Sequence, residues 1–445
     1  MDTLYGLIGV VTIILIAFSV RESVNTKDFD LTAIVVAFVV LLPNLTTTVA
    51  LFTDGRVVGA DVNFNRVVTY QGFSIQVNQV ASPLLAVILI AAIALVAKDV
   101  RTLRMSGVTF LALILLSALA ASVPLPGAQI ALIAVALASA VLKGGHSAAT
   151  GAGYVIAILA GASLLGAYLA PESAYIPCDT RKCGATGVLF SGIADNHNSF
   201  GLLMALGVPF VYLGLKKWNR TITAVVVFAA LASGDRTGQI AAVLTFAALI
   251  ATNTGLNGPQ RFQKTICTTA LATLSIAILV PFAGLAPQSL TGRPYYWNLA
   301  IERFRSDGLT GFGTDSWRNL VRLGEIPLQA GYSTHNQFVE ALFFAGIVGA
   351  LLLLATIFFT IYQSQNRALL AVASIPIIIC GITERPWSLD RIDWMTWSFI
   401  ALTLLTSTVR GAPTGGEDQG NSILKATPLT GRHHLPRPLR HTPRN

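Results

Sequence analysis

Long apolar runs separated by short polar connections extend along almost the whole chain. Runs of helical length with few charges predict membrane-spanning helices, because a helix satisfies all its backbone hydrogen bonds internally. Thirteen such segments are predicted: Leu4–Val20, Leu31–Leu42, Val80–Ala97, Val108–Ser122, Ala128–Leu142, Gly151–Leu169, Phe200–Leu215, Thr221–Ala232, Gln239–Ala251, Thr265–Phe282, Phe338–Tyr362, Ala368–Ile382 and Met395–Val409. We therefore expect an all-α, polytopic integral membrane protein with about 12–13 transmembrane helices. The first run has no basic n-region and no small-residue cleavage site, which indicates a retained anchor.

Composition supports this interpretation. The chain of 445 residues is 53% hydrophobic and only 11% charged, with a mean hydropathy of +0.66. No soluble domain of any size is expected, and no nucleic-acid partner. We expect an N-terminal transmembrane bundle over 1–184, a second transmembrane region over 185–410 and a basic tail over 411–445. The tail is rich in Gly, Pro, Thr, His and Arg, which is typical of a disordered segment that touches anionic lipid heads.

Basic residues in the connections predict the orientation. Lys98, Arg101 and Arg104 follow the third span closely, so the positive-inside rule places this connection in the cytoplasm. Alternation then puts the N-terminus outside, and it puts every long or polar connection on the outer face: 53–79, 170–198, 233–238, 283–337 and 383–394. Lys182 is the only lysine among the basic residues of these outer connections.

Arginine in place of lysine suits an anionic ligand, because the guanidinium holds phosphate oxygens with a fixed fork. The alternative explanation for the arginine-rich outer connections is the overall composition of the chain, in which arginine outnumbers lysine.

Cys178 and Cys183 lie in an outer connection, where a small disulfide loop is possible in an oxidising compartment. No histidine joins this pair at zinc-like spacing, so we expect no metal site.

The longest outer connection, 283–337, contains a predicted amphipathic helix. Arg293 precedes a proline, which suits the first turn of a helix, and Trp297, Ile301 and Phe304 would share one face. We expect this helix to lie on the membrane with its aromatic residues at headgroup level. An anion beside Arg293 would gain both the guanidinium and the unpaired N–H groups of the helix N-terminus.

His335 ends this polar connection and begins the next span. Histidine titrates near neutral pH and can act as a general base for a hydroxyl group, although a lone histidine is more often structural. Gly346 and Gly349 would lie one turn apart and allow another helix to approach. Arg236 stands in a very short turn between two spans, where an arginine indicates function unless it pairs with Asp235.

These elements resemble those of the O-antigen ligase family and the related polysaccharide polymerases. The resemblance covers roughly residues 185–350 and rests on five elements in order: Gly192 with Asn196-His197-Asn198, Ser233-Gly234-Asp235-Arg236, Gly292-Arg293 followed by Trp297, Gly311-x-Gly313, and His335-Asn336 followed after nine residues by Gly346-x-x-Gly349.

The resemblance implies transfer of a glycan from a polyprenyl-diphosphate carrier to an acceptor hydroxyl, without a cofactor, at the outer face of the bacterial cytoplasmic membrane. Arg236 and Arg293 would hold the diphosphate, and His335 would be the catalytic base. Asn198, Trp297 and Asn336 would support them. A polymerase of the same superfamily is the alternative within this class, and a transporter or flippase of lipid-linked sugars is the alternative outside it. A transporter should place ionisable groups near the bilayer midplane, whereas an enzyme of this type concentrates them in outer loops.

Overall fold

The computed structural model describes residues 2–25, 29–53, 56–60, 66–100, 103–121, 127–178, 183–184, 187–253, 260–306, 308–326, 333–364 and 366–406. The predicted basic tail, 411–445, lies outside these residues. The described helices belong to one compact unit, Met1–Arg410. The division of this unit at residue 184 remains a prediction.

Helices dominate the described residues. They are α1 (Asp2–Asn25), α2 (Leu31–Phe52), α3 (Phe73–Val96), α4 (Met105–Leu119), α5 (Gly127–Val141), α6 (His146–Leu169), α7 (Pro171–Ala174), α8 (His197–Gly214), α9 (Asn219–Ala232), α10 (Arg236–Asn253), α11 (Gln260–Leu279), α12 (Arg293–Ser306), α13 (Ser316–Arg322), α14 (Gln337–Gln363), α15 (Arg367–Thr383) and α16 (Trp397–Thr406). Two short antiparallel pairs accompany them: β1 (Arg56–Ala60) with β2 (Arg66–Tyr70), and β3 (Tyr175–Ile176) with β4 (Leu189–Phe190).

The helices confirm an all-α polytopic membrane protein. Each of the thirteen predicted segments overlaps one helix. Among the described residues, six helices are long and apolar enough to cross a membrane, and five further apolar helices are shorter. The helix α6 lies at the centre of the N-terminal part and packs against α1, α2 and α8. Its small residues allow this close packing: a side chain at Gly151 would collide with the backbone of Ala33, and one at Gly153 with the backbone of Phe210.

The connections gather at two opposite ends of the bundle. At one end, called the basic end here, Arg104, Lys143 and Lys217 form hydrogen bonds with residues near the ends of neighbouring helices. The Arg104 backbone N–H donates to Ala140, the Thr32 hydroxyl donates to the Lys143 carbonyl at 3.1 Å, and the Lys217 N–H donates to the Ser19 hydroxyl at 3.3 Å. These contacts agree with the predicted alternation, which placed the three basic connections on one side.

The other end, called the polar-loop end here, collects the connections that were predicted to share the opposite side. Tyr5 near the start of α1 stacks on Phe190 of β4, with ring centroids 5.4 Å apart. The hydroxyls of Thr237 at the start of α10 and Thr383 at the end of α15 lie 3.3 Å apart. At this end the start of α1 therefore contacts the β4 segment, and the start of α10 contacts the end of α15.

The helix α14 is broken at Gly346, where φ is +63°. The outer connection returns into this break: the N–H groups of Phe312 and Gly313 donate at 2.9 Å to the carbonyls of Phe343 and Phe344, and the Ile347 N–H donates to Gly308. The loop thus satisfies the backbone groups that the break leaves unpaired, as a non-helical segment within a membrane requires. Gly346 was expected to admit a neighbouring helix, but it admits the Gly308–Gly313 loop instead.

Candidate active site

His335 lies at the centre of the polar-loop end, in a backbone conformation that its neighbours enforce. Its φ is +56°, a left-handed value that non-glycine residues rarely adopt. The Ser333 hydroxyl accepts from the His335 N–H at 3.1 Å, and the indole of Trp297 donates to the His335 carbonyl at 3.2 Å. Such strain persists only where the surroundings hold the residue, and it is concentrated at functional sites.

Trp297 is fully buried in the protein, with 0% of its surface exposed. This differs from the expectation that it would sit among lipid headgroups. The side of α12 that carries Pro294, Trp297 and Ala300 faces the protein, and α12 packs against α14. The indole donates to the His335 carbonyl and therefore lies inside the protein and not at the interface.

Asn336 joins three helices beneath His335. Its side-chain oxygen, Oδ1, accepts from the backbone N–H groups of Phe338 and Val339 at 3.0 Å and so caps α14. Its side-chain nitrogen, Nδ2, lies 3.2–3.3 Å from the backbone carbonyl oxygens of Ala277 in α11 and of Gly381 and Ile382 in α15. The adjacent His–Asn pair therefore has a physical reason, because Asn336 holds the strained His335 backbone against two other helices.

Glu384 connects His335 to Arg293. One carboxylate oxygen lies 3.2 Å from Nδ1 of His335, and the other accepts from Nη2 of Arg293 at 2.7 Å. The side chain of Glu384 is 4% exposed and that of His335 is 10% exposed. A carboxylate that bridges a buried imidazole and a guanidinium is an arrangement suited to acid–base chemistry.

The charge state of Glu384 decides the direction of its bond to His335. Burial alone would raise the pKa of Glu384, but the charges of His335 and Arg293 and their hydrogen bonds outweigh burial and lower the pKa to about 2. An ionised carboxylate can only accept, so Nδ1 of His335 carries the hydrogen. Nε2 is then the ring nitrogen that would take a proton from a substrate.

Arg293 is held by protein groups on one side. Its Nε donates to the Thr383 carbonyl at 2.7 Å, its Nη1 to Leu290 at 3.3 Å and its Nη2 to Glu384. A guanidinium has five N–H donors. Within the described ranges these three bonds leave two N–H donors for a ligand, and the side chain is 16% exposed.

Arg236 begins α10 and is exposed. Its guanidinium forms no hydrogen bond or ion pair with another described residue. The alternative that Asp235 neutralises it is not borne out within the described chain: the Asp235 carboxylate accepts from the Gly238 N–H at 2.7 Å and thereby caps α10. Thr383 contacts Thr237, the residue after Arg236, through its hydroxyl, and Arg293 through its carbonyl.

The Asn196–Asn198 element lies on the Arg236 side of this arrangement. Asn196 caps α8 by accepting from the Ser199 N–H at 2.8 Å, and Asn198 is half-buried in the first turn. A side chain at Gly201 would collide with Ser233 and with Asp235. The start of α8 therefore packs directly on the turn that carries Arg236.

An apolar cavity of about 260 Å³ opens beside the site, between α11, α14 and α15. Its walls include Leu271, Leu274 and Ile377. The end of the cavity that lies nearest to His335 and Glu384 is formed by Gln337, Gly381 and Pro386. Gln337 is two residues from His335, and Pro386 is two residues from Glu384. The cavity thus continues from the charged site along the three helices, as far as Arg367 at the start of α15.

Two further features concern cysteine and metal chemistry. Cys178 and Cys183 form a disulfide bond, with their Cα atoms 4.7 Å apart. Within the ranges that the structure describes, no cluster of three or more His, Cys, Asp or Glu residues is arranged to hold a metal ion.

Sequence reasoning did not find Glu384, although it found the two residues that Glu384 joins. The signal was present, because Glu384 and Arg385 are consecutive charged residues directly after an apolar span. Two adjacent charges at the end of a transmembrane helix require partners unless both reach water.

Comparison with known proteins supports the resemblance. Residues 199–354 match the family model described as O-antigen ligase. This range extends from α8 into α14 and contains Arg236, Arg293 and His335, whereas Glu384 lies beyond it. No curated protein matches the chain at a significant level.

Proposed function

We propose that this multi-pass membrane protein, whose residues 199–354 match the O-antigen ligase family model, transfers a glycan from a polyprenyl-diphosphate carrier to an acceptor hydroxyl. The reaction takes place at the polar-loop end, on the outer side of the bacterial cytoplasmic membrane. The observation that carries the proposal is the contact of Glu384 with both His335 and Arg293.

His335 is the base in this reaction. The acceptor oxygen forms a bond to the anomeric carbon of the donor sugar, while the bond from that carbon to the diphosphate oxygen breaks and its electron pair leaves with the diphosphate. Nε2 of His335 takes the acceptor proton. Glu384 holds Nδ1 and stabilises the imidazolium that forms, the role that a buried carboxylate has beside a catalytic histidine elsewhere.

Arg236 and Arg293 stabilise the leaving diphosphate. Charge grows on the diphosphate oxygens as the glycosidic bond breaks, so fixed N–H donors aimed at these oxygens lower the barrier. Arg236 offers its whole guanidinium together with the N-terminus of an 18-residue helix. Arg293 offers its two remaining donors. The arginines can carry this charge without a divalent cation.

The apolar cavity between α11, α14 and α15 accommodates part of the prenyl chain of the carrier. Its near end reaches Gln337 and Pro386, beside the charged site, while its walls are almost entirely apolar. On α11 the side chains of Leu271 and Ile276 are exposed on the bundle surface. A lipid can therefore enter from the bilayer with its diphosphate directed to the arginines.

The proposal also accounts for the distribution of charge. Glu340, a buried carboxylate of α14, lies in the first turn of that helix and not at its middle. A transporter is expected to place such groups near the bilayer midplane. Ligase and polymerase differ only in the acceptor, which is a lipid anchor in one and a growing glycan in the other.

The experiment is a transfer assay with purified protein in proteoliposomes. A radiolabelled lipid-linked oligosaccharide is supplied with either a lipid or a glycan acceptor, and acceptor-dependent product is measured. We expect transfer by wild type, and a loss of roughly 100-fold or more in both His335→Ala and Arg236→Ala. Arg220→Ala is the matched control, because Arg220 is an exposed arginine beside Lys217 at the basic end; it should transfer at the wild-type rate.

Undiminished transfer by His335→Ala and Arg236→Ala would refute the assignment of the site. Movement of intact donor across the vesicle membrane without transfer would instead support a flippase. Loss of activity in a chelator, restored by one divalent ion, would contradict charge stabilisation by the arginines alone.

A further inference from the structure

A second charged cluster lies directly behind Glu384. The Arg385 guanidinium lies 3.3 Å from Glu340 and 2.7 Å from Asp390, and only 1% of the Arg385 side chain and 0% of that of Glu340 are exposed. The hydroxyl of Ser388 donates to Asp390 at 2.6 Å, and the N–H of Leu389 donates to Glu340 at 3.3 Å. None of these residues takes part in the proposed reaction.

The cluster joins the two chain segments whose relative position the site requires. Glu340 is five residues after His335, and Arg385 immediately follows Glu384. A second link lies beside it: the Gln337 amide donates to the Trp387 carbonyl at 2.8 Å and accepts from the Trp387 N–H at 2.7 Å. The start of α14 and the segment after α15 are thereby held together at two neighbouring points.

Stability alone does not explain this cluster. Removing charges from water is unfavourable, and buried ion pairs can often be replaced by apolar residues without loss of stability. In addition, Oε2 of Glu340 and Nε of Arg385 are buried without a hydrogen-bond partner in the described part of the chain, which is itself destabilising. A planar guanidinium that bonds to two carboxylates does, however, define the position of a segment more narrowly than apolar contacts do.

Arg385 is charged under all relevant conditions. Burial alone would lower its pKa, but the carboxylates of Asp390 and Glu340 outweigh burial and raise it. Arg385 also raises the stability of the ionised form of Asp390: burial would raise the pKa of that carboxyl, and the guanidinium lowers it. Arg385 and Asp390 therefore form a permanent ion pair.

We propose that Arg385, through Glu340 and Asp390, is a positioning residue: it fixes the segment that carries Glu384 against the segment that carries His335, so that one carboxylate reaches both His335 and Arg293. The proposal rests on the proposed function for its effect on catalysis. Its geometric part does not, since the placement of Glu384 against His335 can be measured without turnover.

The test uses the full chain in lipid nanodiscs and three variants. Glu340→Leu/Arg385→Met replaces the Glu340–Arg385 pair with apolar side chains of similar volume, a change that buried pairs often tolerate, while Asp390 keeps the Ser388 hydroxyl and Arg391. Arg385→Lys keeps the charge but loses the fork. Arg391→Met is the matched control, because Arg391 belongs to the same segment, lies 3.9 Å from Asp390 and has a side chain that is 41% exposed.

The first readout is independent of activity. Diethyl pyrocarbonate modifies exposed imidazoles, and mass spectrometry gives the rate separately for each histidine-containing peptide. His146, at the start of α6 beside the basic end, is the internal reference for general loosening. We expect the modification rate of His335 to rise about threefold or more relative to His146 in both the double variant and Arg385→Lys, since Glu384 no longer holds the ring. Arg391→Met should leave the ratio unchanged.

The second readout is kinetic. A displaced carboxylate impairs the chemical step more than binding, so we expect kcat to fall roughly tenfold or more while KM for the lipid-linked donor changes less than about threefold. A purely structural role predicts instead that activity follows the thermal unfolding midpoint across the three variants. Should the double variant not fold, Arg385→Lys decides the question on the same readouts.

The outcomes separate the two proposals. Wild-type His335 reactivity and wild-type kcat in a folded double variant, or in Arg385→Lys, would overturn the positioning role. Absence of transfer by the wild-type protein would refute the proposed function, while the modification ratio would still decide whether Arg385 positions Glu384.

Discussion

Nδ1 of His335 lies 3.2 Å from a carboxylate oxygen of Glu384, although the two residues are 49 positions apart in the chain. His335 lies two residues before the start of α14, and Glu384 directly follows α15. Their meeting depends on the packing of two helix termini, on the Asn336 side chain between them and on the buried Arg385 cluster. The relationship makes the carboxylate part of the site and leads to predictions that do not follow from His335 alone.

Acid should remove the contribution of Glu384 to stability. The folded pKa of about 2 lies below the ordinary glutamate value of 4.5, so this contribution is fully present above about pH 4.5 and is lost as the pH falls toward 2. We expect Glu384→Gln to lower the thermal unfolding midpoint at pH 7 and this difference to narrow below pH 4.5. A difference that stays constant from pH 7 to pH 3 would contradict the ionised, doubly paired carboxylate.

Trp297→Phe should reduce activity while the fold is retained. The change keeps most of the buried ring but removes the N–H that donates to the His335 carbonyl, so we expect a loss of roughly 1–2 kcal/mol in unfolding free energy and a lower kcat. Trp317→Phe is the matched control: Trp317 is 1% exposed, and its indole nitrogen has no hydrogen-bond partner in the described structure. Equal losses of kcat in both variants would argue against positioning of His335 by Trp297.

Asn336→Ala should destabilise the protein more than the loss of a helix cap. The cap itself is worth about 1 kcal/mol, and Asn366→Ala removes a comparable cap, at the start of α15, where Asn366 accepts from the Leu369 N–H at 2.9 Å. Asn336 also contacts carbonyls of α11 and α15. Chemical unfolding of both variants should therefore show a clearly larger loss for Asn336→Ala; a loss no greater than that of Asn366→Ala would show that the cross-links contribute nothing.

Gly346→Ala should disrupt the returning loop. A side chain at Gly346 would require a strained φ of +63° and would also collide with the Leu309 carbonyl. Gly284→Ala separates the two effects, because Gly284 has a φ of +65° but no heavy atom within 4 Å of the added methyl group. We expect limited proteolysis to cut the 308–313 loop faster in Gly346→Ala than in Gly284→Ala. Equal cleavage rates would mean that the close approach of the Leu309 carbonyl to Gly346 does not matter for the loop.

Membrane helices were predictable because long apolar runs have few alternative structures in a bilayer. All thirteen predicted segments overlap helices. The break in α14 was not predictable from hydropathy, because residues on both sides of Gly346 are apolar and helical. Only the loop that donates to Phe343 and Phe344 makes the break stable.

The candidate site was only partly predictable, for a related reason. Arg293 and His335 stand in polar connections with recognisable neighbours, so their chemistry is visible in the sequence. Glu384 acquires its meaning from Arg293 and His335, which come from distant segments, and a single sequence does not show that pairing. Trp297 was assigned to the interface because aromatic residues near charges often lie there, whereas the tertiary fold buries it against His335.

The most direct test of His335 and Glu384 as one catalytic unit is a double-mutant cycle on kcat for acceptor-dependent glycan transfer. Wild type, His335→Ala, Glu384→Gln and the double variant are compared under saturating lipid-linked donor. If Glu384 acts through His335, each single change lowers kcat, and the double variant is no slower than His335→Ala, because residues that act as a unit are strongly non-additive. Additive losses, or wild-type turnover by His335→Ala, would contradict the account.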